Sequence, residues 1–138
     1  GEMARLMNRP VQEIQKDRVR LAKSAAREWG VIVVLKGSHT VVADPNGRIA
    51  VSPWAVSGLA TAGTGDVLAG VIASLIAQGI QPYDAASLGA YLHAAAGETV
   101  VNDIGNTGLV ASDLLPVLPR TIKSVRNGTF SGGIQEIS

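Results

Sequence analysis

Val31-Ile32-Val33-Val34-Leu35 is an apolar run, mostly β-branched, with no polar residue to alternate with. A strand of that kind has no face to show to water. It belongs in a sheet covered on both sides, as in the parallel sheets of α/β proteins. Directly upstream, Val11, Ile14, Leu21, Ala22, Ala25 and Trp29 recur at helical spacing, while Lys16, Arg18, Arg20, Lys23 and Arg27 mark the wet side. The spacing predicts one helix over 10–29, with Asn8 as N-cap, Pro10 in the first turn and Gly30 just past the end. The basic face reads as solvated surface. A helix feeding a doubly buried strand is half of an α/β repeat, so the expected class is α/β.

The rest of the chain keeps that reading. Asp44-Pro45-Asn46-Gly47 is a strong turn signal between two extended stretches and predicts a hairpin over 40–51. Residues 67–78 carry a helical pattern that stops at Gly79, and Pro82 opens another helix reaching about Val101. Ser112-Asp113 is expected to cap a last helix, with Pro116 in its first turn and Pro119 restarting it. A flexible tail is expected over 127–138, where Gly128, Gly132 and Gly133 fall. The 138 residues are about one domain by length.

Composition removes several classes of function. Twelve Lys and Arg against eleven Asp and Glu leave a net charge of +1, no footprint for nucleic acid. Zero cysteines exclude a disulfide scaffold, a thiolate zinc site and thiol catalysis, and two histidines make a His-rich metal centre a poor reading. The longest apolar run, 67–77, falls well short of the ~20 residues of a bilayer span, and no targeting segment is visible. The expectation is no membrane and a cytoplasmic address. Opening on Gly1 rather than Met, the chain reads as a fragment or a processed piece.

Two loops carry the chemistry. Ala62-Gly63-Thr64-Gly65-Asp66 opens a helix, and its glycines let consecutive N–H groups face a ligand at the positive end of the helix dipole. That is a site for phosphate oxygens or developing negative charge, with the Asp66 carboxylate at its edge; the bland alternative is a tight helix entry with Asp66 favourable in the first turn. Lys36-Gly37-Ser38-His39-Thr40 follows the buried strand, where α/β sheets place ligand loops. Lys36 offers a cation and Thr40 a hydroxyl, and Gly37 allows close backbone approach; a plain strand-to-hairpin turn is the alternative. His93, on an Ala-rich helix, reads as structural, Glu98, Asp103 and Asn106 as solvated helix-end groups, and Trp29 and Trp54 as packing residues.

In this order and spacing, the two loops resemble the C-terminal half of the ribokinase-like NAD(P)HX dehydratases, the YjeF C-terminal domain family. Residues 35–43, LKGSHTVVA, look like its Lys-Gly-x-x-Thr nucleotide segment, and residues 59–70, LATAGTGDVLAG, like its glycine signature. Gly1-Glu2-Met3-Ala4-Arg5-Leu6 looks like the second half of a His-Pro-Gly-Glu element, and Ala111-Ser112-Asp113-Leu114-Leu115 like the family's last helix. The resemblance reaches to about Pro119. It departs at 52–58, where the family carries an Asn-Pro-bearing loop, and the family's His and the N-terminal half of its domain would lie ahead of Gly1.

The resemblance implies a three-layer α/β/α ribokinase-like fold, of which 1–126 would be the C-terminal part. It also implies a reaction: dehydration of hydrated NADH or NADPH, with ADP (or ATP) and Mg²⁺, through phosphorylation of the ring hydroxyl and loss of phosphate. Lys36, Gly37, Ser38, His39 and Thr40 would wrap the AMP portion of the nucleotide and Gly65 would contact it. The amides of Gly63, Thr64 and Gly65 would stabilise the transferred phosphoryl. Asp66 would meet the hydrate as orienting group or base. No protein metal ligand is assigned. A homo-oligomer and an upstream epimerase domain accompany the family. Two alternatives stand beside this reading: a ribokinase-fold kinase passing phosphate from ATP to a vitamin or sugar hydroxyl, and a non-catalytic nucleotide-binding half that needs its missing part.

Overall fold

The structure, a computed structural model, describes residues 1–129 and the backbone of 135–136. Most of the expected flexible tail over 127–138 therefore lies outside the described residues. Among those described, no helix is long and apolar enough to cross a membrane.

The helix expected over 10–29 is two. After α1 (Glu2–Leu6), α2 (Val11–Lys16) ends at Asp17, whose φ of −149° and ψ of 71° leave the helical region, and α3 (Arg18–Trp29) starts afresh. The cause is the Asp17 side chain, which accepts hydrogen bonds from the Arg20 amide at 3.1 Å and from Arg20 Nε at 2.7 Å. A carboxylate that bonds the backbone ahead of it starts a helix rather than continuing one. Asp17, not Asn8, is thus the cap; Asn8 sits at a φ of 50° in the turn before α2, and Pro10 is itself the N-cap of α2. Gly30 closes α3 in the left-handed conformation, as expected.

Strands β1 (Val33–Leu35), β2 (Val41–Ala43), β3 (Ile49–Val51) and the two-residue β4 (Gln135–Glu136) form a sheet in the order β1-β2-β3-β4. Every described pairing is antiparallel, which corrects the expectation of a parallel sheet. From β1 the chain turns straight back through loop 36–40 and then through the hairpin, whereas a parallel neighbour needs a crossover. Burial on both faces was correctly indicated. Val33, Leu35, Val41, Ala43 and Ile49 pack on one face with Leu21, Ala22, Ala25 and Ala26 of α3. Val42 and Ala50, flanked by Ile32 and Val34, pack on the other with Tyr83, Ala86 and Ala90 of α5 (Pro82–Ile104). The register accounts for the split: Val34, Val42 and Ala50 stand opposite one another, so alternate residues of all three strands share a face. Helix, sheet and helix make three layers. The hairpin turn is closed by Asp44, which is buried and accepts from the Arg48 amide at 2.8 Å and Arg48 Nε at 2.7 Å.

Outside α5 lies α4 (Thr64–Ala77), which begins before the predicted Val67 because Gly63, at a φ of 83°, turns the chain into it. Only Thr64 and Leu68 of α4 are buried, while Ala69, Gly70, Ala73, Ile76 and Ala77 stand exposed. A second cluster joins Leu59, Ala96, Val100, Leu109, Leu114 and Leu118. Asp113 does not cap a long last helix; it accepts from the Val110 amide at 2.9 Å and closes a short 3₁₀ turn (Ala111–Leu114). The chain then restarts as α6 (Leu118–Arg126), with Pro119 in its first turn.

Close packing of α5 depends on its glycines. A methyl group on Gly97 would lie 2.8 Å from Leu59 Cγ and Cδ1, while one on Gly70 would meet nothing within 4 Å. Gly97→Ala is therefore expected to destabilise the chain by about 1–3 kcal/mol, although alanine is the better helix former. Gly70→Ala should leave the melting temperature level or raise it, by up to about 1 kcal/mol of stability. Thermal unfolding of the two variants beside the parent checks both.

Candidate functional site

Loop 36–40 takes its shape from Thr40. The Thr40 hydroxyl donates to the Gly37 carbonyl at 3.2 Å and lies 3.4 Å from the Gly37 amide, closing a tight turn on itself. His39 adopts a φ of 52°, and its Nδ1 lies 3.0 Å from the Ser52 carbonyl, which only accepts; Nδ1 is therefore the donor. Thr40 is buried, while Gly37, Ser38 and His39 are exposed. The hydroxyl expected to face a ligand is thus engaged in holding the loop.

The glycine loop is held from inside by Thr64. Its side chain is fully buried and its Oγ1 lies 2.8 Å from both the Leu59 and Thr61 carbonyls. Of the three amides expected to face an anion, that of Thr64 leans back to the Thr61 carbonyl at 3.4 Å. Among the described residues, the amides of Gly63 and Gly65 have no hydrogen-bond partner. They remain open donors at the start of a 14-residue helix.

The two loops meet at one atom. Lys36 Nζ donates to the Leu59 carbonyl at 2.7 Å, the same oxygen that accepts from Thr64 Oγ1. The lysine stem passes so close to the glycine loop that a side chain on Gly65 would lie 3.7 Å from Lys36 Cδ. Beside this junction opens a cavity of about 230 Å³ lined by Lys36, Gly37, Ser38 and Thr40 on one side and by Ala55, Val56, Ser57, Leu59 and Ala60 on the other, with His93 also in its wall. Burial holds the Lys36 ammonium below the ordinary lysine value, and the Glu2 carboxylate pulls it partly back.

Four of the five residues singled out in loop 36–40 therefore share one cavity, and His39 stands outside its wall. Gly63, Thr64 and Gly65 do not line it. Asp66 is exposed and faces a different concavity, an apolar groove of about 510 Å³ shared with Val67, Val71, Leu75, Leu92 and Leu118.

Sequence reasoning missed the 55–60 wall, an irregular stretch with no periodicity to read, and it undervalued His93. That imidazole is 3% exposed, and its Nε2 lies 2.8 Å from the Thr64 carbonyl. Since the carbonyl only accepts, the proton sits on Nε2. The signal for it was a lone polar ring in the middle of an Ala-rich helix. Burial pushes His93 below the ordinary value of 6.5, the Thr64 bond opposes that shift, and the nearby Lys36 charge adds to it.

The folded chain therefore binds the His93 proton less tightly than the unfolded chain. Its contribution to stability is complete above pH 6.5 and drains away as pH falls through the depressed folded value. The melting temperature should fall between about pH 7 and pH 5, and His93→Gln, which keeps a donor for Thr64, should flatten that slope. An unchanged slope in His93→Gln would remove His93 as its source.

Comparison with known proteins gives this geometry a context. Residues 1–120 match the family model described as NAD(P)H-hydrate dehydratase. The bifunctional NAD(P)H-hydrate repair enzyme of Moorella thermoacetica is 46% identical over 125 residues, 91% of this chain and 24% of that protein. The ADP-dependent (S)-NAD(P)H-hydrate dehydratase of Neisseria meningitidis serogroup B is 43% identical over 117 residues, 84% of this chain and 40% of that protein. The crystal structure of the ADP/ATP-dependent NAD(P)H-hydrate dehydratase of Bacillus subtilis, co-crystallised with ATP and Mg²⁺ and soaked with CoA, superposes with a TM-score of 0.85 at 36% identity. It covers 89% of this chain, and this chain spans 46% of it. The shared architecture is the ribokinase-like α/β fold, and the chain belongs to the NAD(P)H-hydrate dehydratase family.

Proposed function

We propose that the chain forms the nucleotide-binding part of an ADP-dependent NAD(P)H-hydrate dehydratase, returning hydrated NADH or NADPH to the reduced cofactor. The observation that carries this is the junction at the Leu59 carbonyl, which brings a lysine loop and a glycine loop together beside one cavity. In this reading Lys36, Gly37, Ser38 and Thr40 hold the AMP portion of ADP, with His39 bracing the loop through Ser52. The open amides of Gly63 and Gly65, ordered by Thr64, receive the charge of the transferred phosphoryl group.

The ring hydroxyl of the hydrate attacks the terminal phosphorus of ADP, and the bond to the bridging oxygen breaks with AMP leaving. The hydroxyl proton passes to Asp66, whose exposed carboxylate meets the substrate from the groove side. The carbon–oxygen bond then breaks with phosphate as leaving group, and loss of a proton from the adjacent carbon restores the double bond. Among the described residues no three His, Asp or Glu cluster as a metal cage. Mg²⁺ carried by the nucleotide's own phosphates would stand beside Asp66, whose carboxylate is the hard oxygen donor such an ion takes. When bound, the ion would neutralise phosphate charge.

The chain spans about a quarter to under half the length of these relatives. We assign turnover to the chain completed by the remainder of that domain. The exposed apolar face of α4 and the outer edge of β1, which pairs with no strand there among the described residues, are the surfaces such a remainder would cover. An upstream epimerase domain, as in a bifunctional repair enzyme, fits the same reading.

The test supplies hydrated NADH, ADP and Mg²⁺ to the chain co-expressed with the part of the Bacillus subtilis relative that it does not match. NADH absorbance should reappear with one AMP and one phosphate per NADH. Asp66→Asn should cut kcat by about 100-fold or more, and Lys36→Ala should raise KM for ADP more than it lowers kcat. Phosphorylated alcohols formed from ATP, with no NADH recovered, would instead identify a kinase. Less than about tenfold loss in Asp66→Asn would remove it as the base.

A further inference from the structure

Arg18 departs from the basic face of its helix. Arg20, Lys23 and Arg27 are exposed, but Arg18, first residue of α3, is half-buried. Its guanidinium turns inward to the end of β1, where Nη2 donates to the Leu35 carbonyl at 2.8 Å, and Nη1 lies 3.3 Å from Gln15 Oε1. Leu35 is the residue immediately before Lys36. The same guanidinium occupies the side-chain position of Gly37: a methyl group built there would be 2.8 Å from both Nη atoms and 3.0 Å from Cζ. Among the described residues Arg18 enters no ion pair, and its neighbour Asp17 is committed to Arg20. A cation held partly out of water without a carboxylate has a cost that a single carbonyl bond offsets poorly.

We infer that Arg18 is a positioning residue for loop 36–40: its guanidinium fixes the exit of the loop from β1 by bonding Leu35 and filling the space beside Gly37. The planar fork suits this double task, since Nη2 donates to Leu35 while both Nη atoms and Cζ fill the space where a side chain on Gly37 would stand. A lysine at position 18 would supply the charge without the plate. The glycine at 37 follows from the same contact, so two residues far apart in sequence specify each other. The inference rests on the nucleotide reading only for its consequence in binding; the loop geometry stands without it.

Amide hydrogen exchange on the 138-residue chain, paired with ADP titration, tests it. In Arg18→Ala, exchange at Gly37, whose amide is held at 3.4 Å from Thr40 Oγ1, should quicken by about tenfold or more while amides of β2 and α4 keep their parental rates. The dissociation constant for ADP should rise by about tenfold through the loosened loop. Should Arg18→Ala not fold, Arg18→Gln keeps a donor for Leu35 but gives up the plate beside Gly37, and the same comparison applies. Unchanged exchange at Gly37, or an increase spread evenly over the whole chain, overturns the inference. A parent chain that binds no ADP counts against the nucleotide reading instead, and the exchange data still decide the role of Arg18.

Discussion

The Leu59 carbonyl is the point on which the site depends. It accepts from Lys36 Nζ at 2.7 Å and from the buried Thr64 hydroxyl at 2.8 Å, so one oxygen ties the loop after β1 to the loop before α4. Its residue is held in place from beneath, because Leu59 packs against Gly97 of α5 in a space where no larger side chain fits. His93, one turn earlier on α5, bonds the Thr64 carbonyl and fixes the first turn of α4. The long helix is therefore the base plate of the site, and both chemically interesting loops are set by it. Hydrogen bonds from charged donors are among the stronger ones in proteins.

The three-layer fold brings these parts together. α3 covers one face of the sheet and α5 the other, so the end of β1, where loop 36–40 begins, lies between two helices that both reach the site. Arg18 approaches that point from α3 and His93 from α5. Among the described residues, the apolar residues of α4 and the outer edge of β1 are left uncovered.

Much of this was legible in the residues, for identifiable reasons. The run 31–35 announced a strand covered on both faces because it has no polar alternation, and the sheet is covered on both faces. It could not announce the pairing direction, since that depends on where the chain goes next. The Asp44-Pro45-Asn46-Gly47 turn and the Gly30 and Gly79 stops were readable because each rests on local backbone chemistry. The break at Asp17 was not, because the apolar spacing on either side of it continues one helical pattern. The two loops were visible through their glycines, but their junction was not. Leu59 contributes only a backbone carbonyl, and no pattern of side chains reports that. Arg18 looked like one more solvated cation, and its bond to Leu35 and its contact with Gly37 set it apart.

The central claim is that loops 36–40 and 62–66 form a single nucleotide site. Amide chemical shifts of the isotope-labelled chain, followed through a titration with ADP and Mg²⁺, test it most directly. The account predicts that Gly37, Ser38, Gly63 and Gly65 move together along one saturation curve with one dissociation constant, while the hairpin turn around Asp44 stays still. Shifts confined to one loop, or two loops saturating at different nucleotide concentrations, would contradict it.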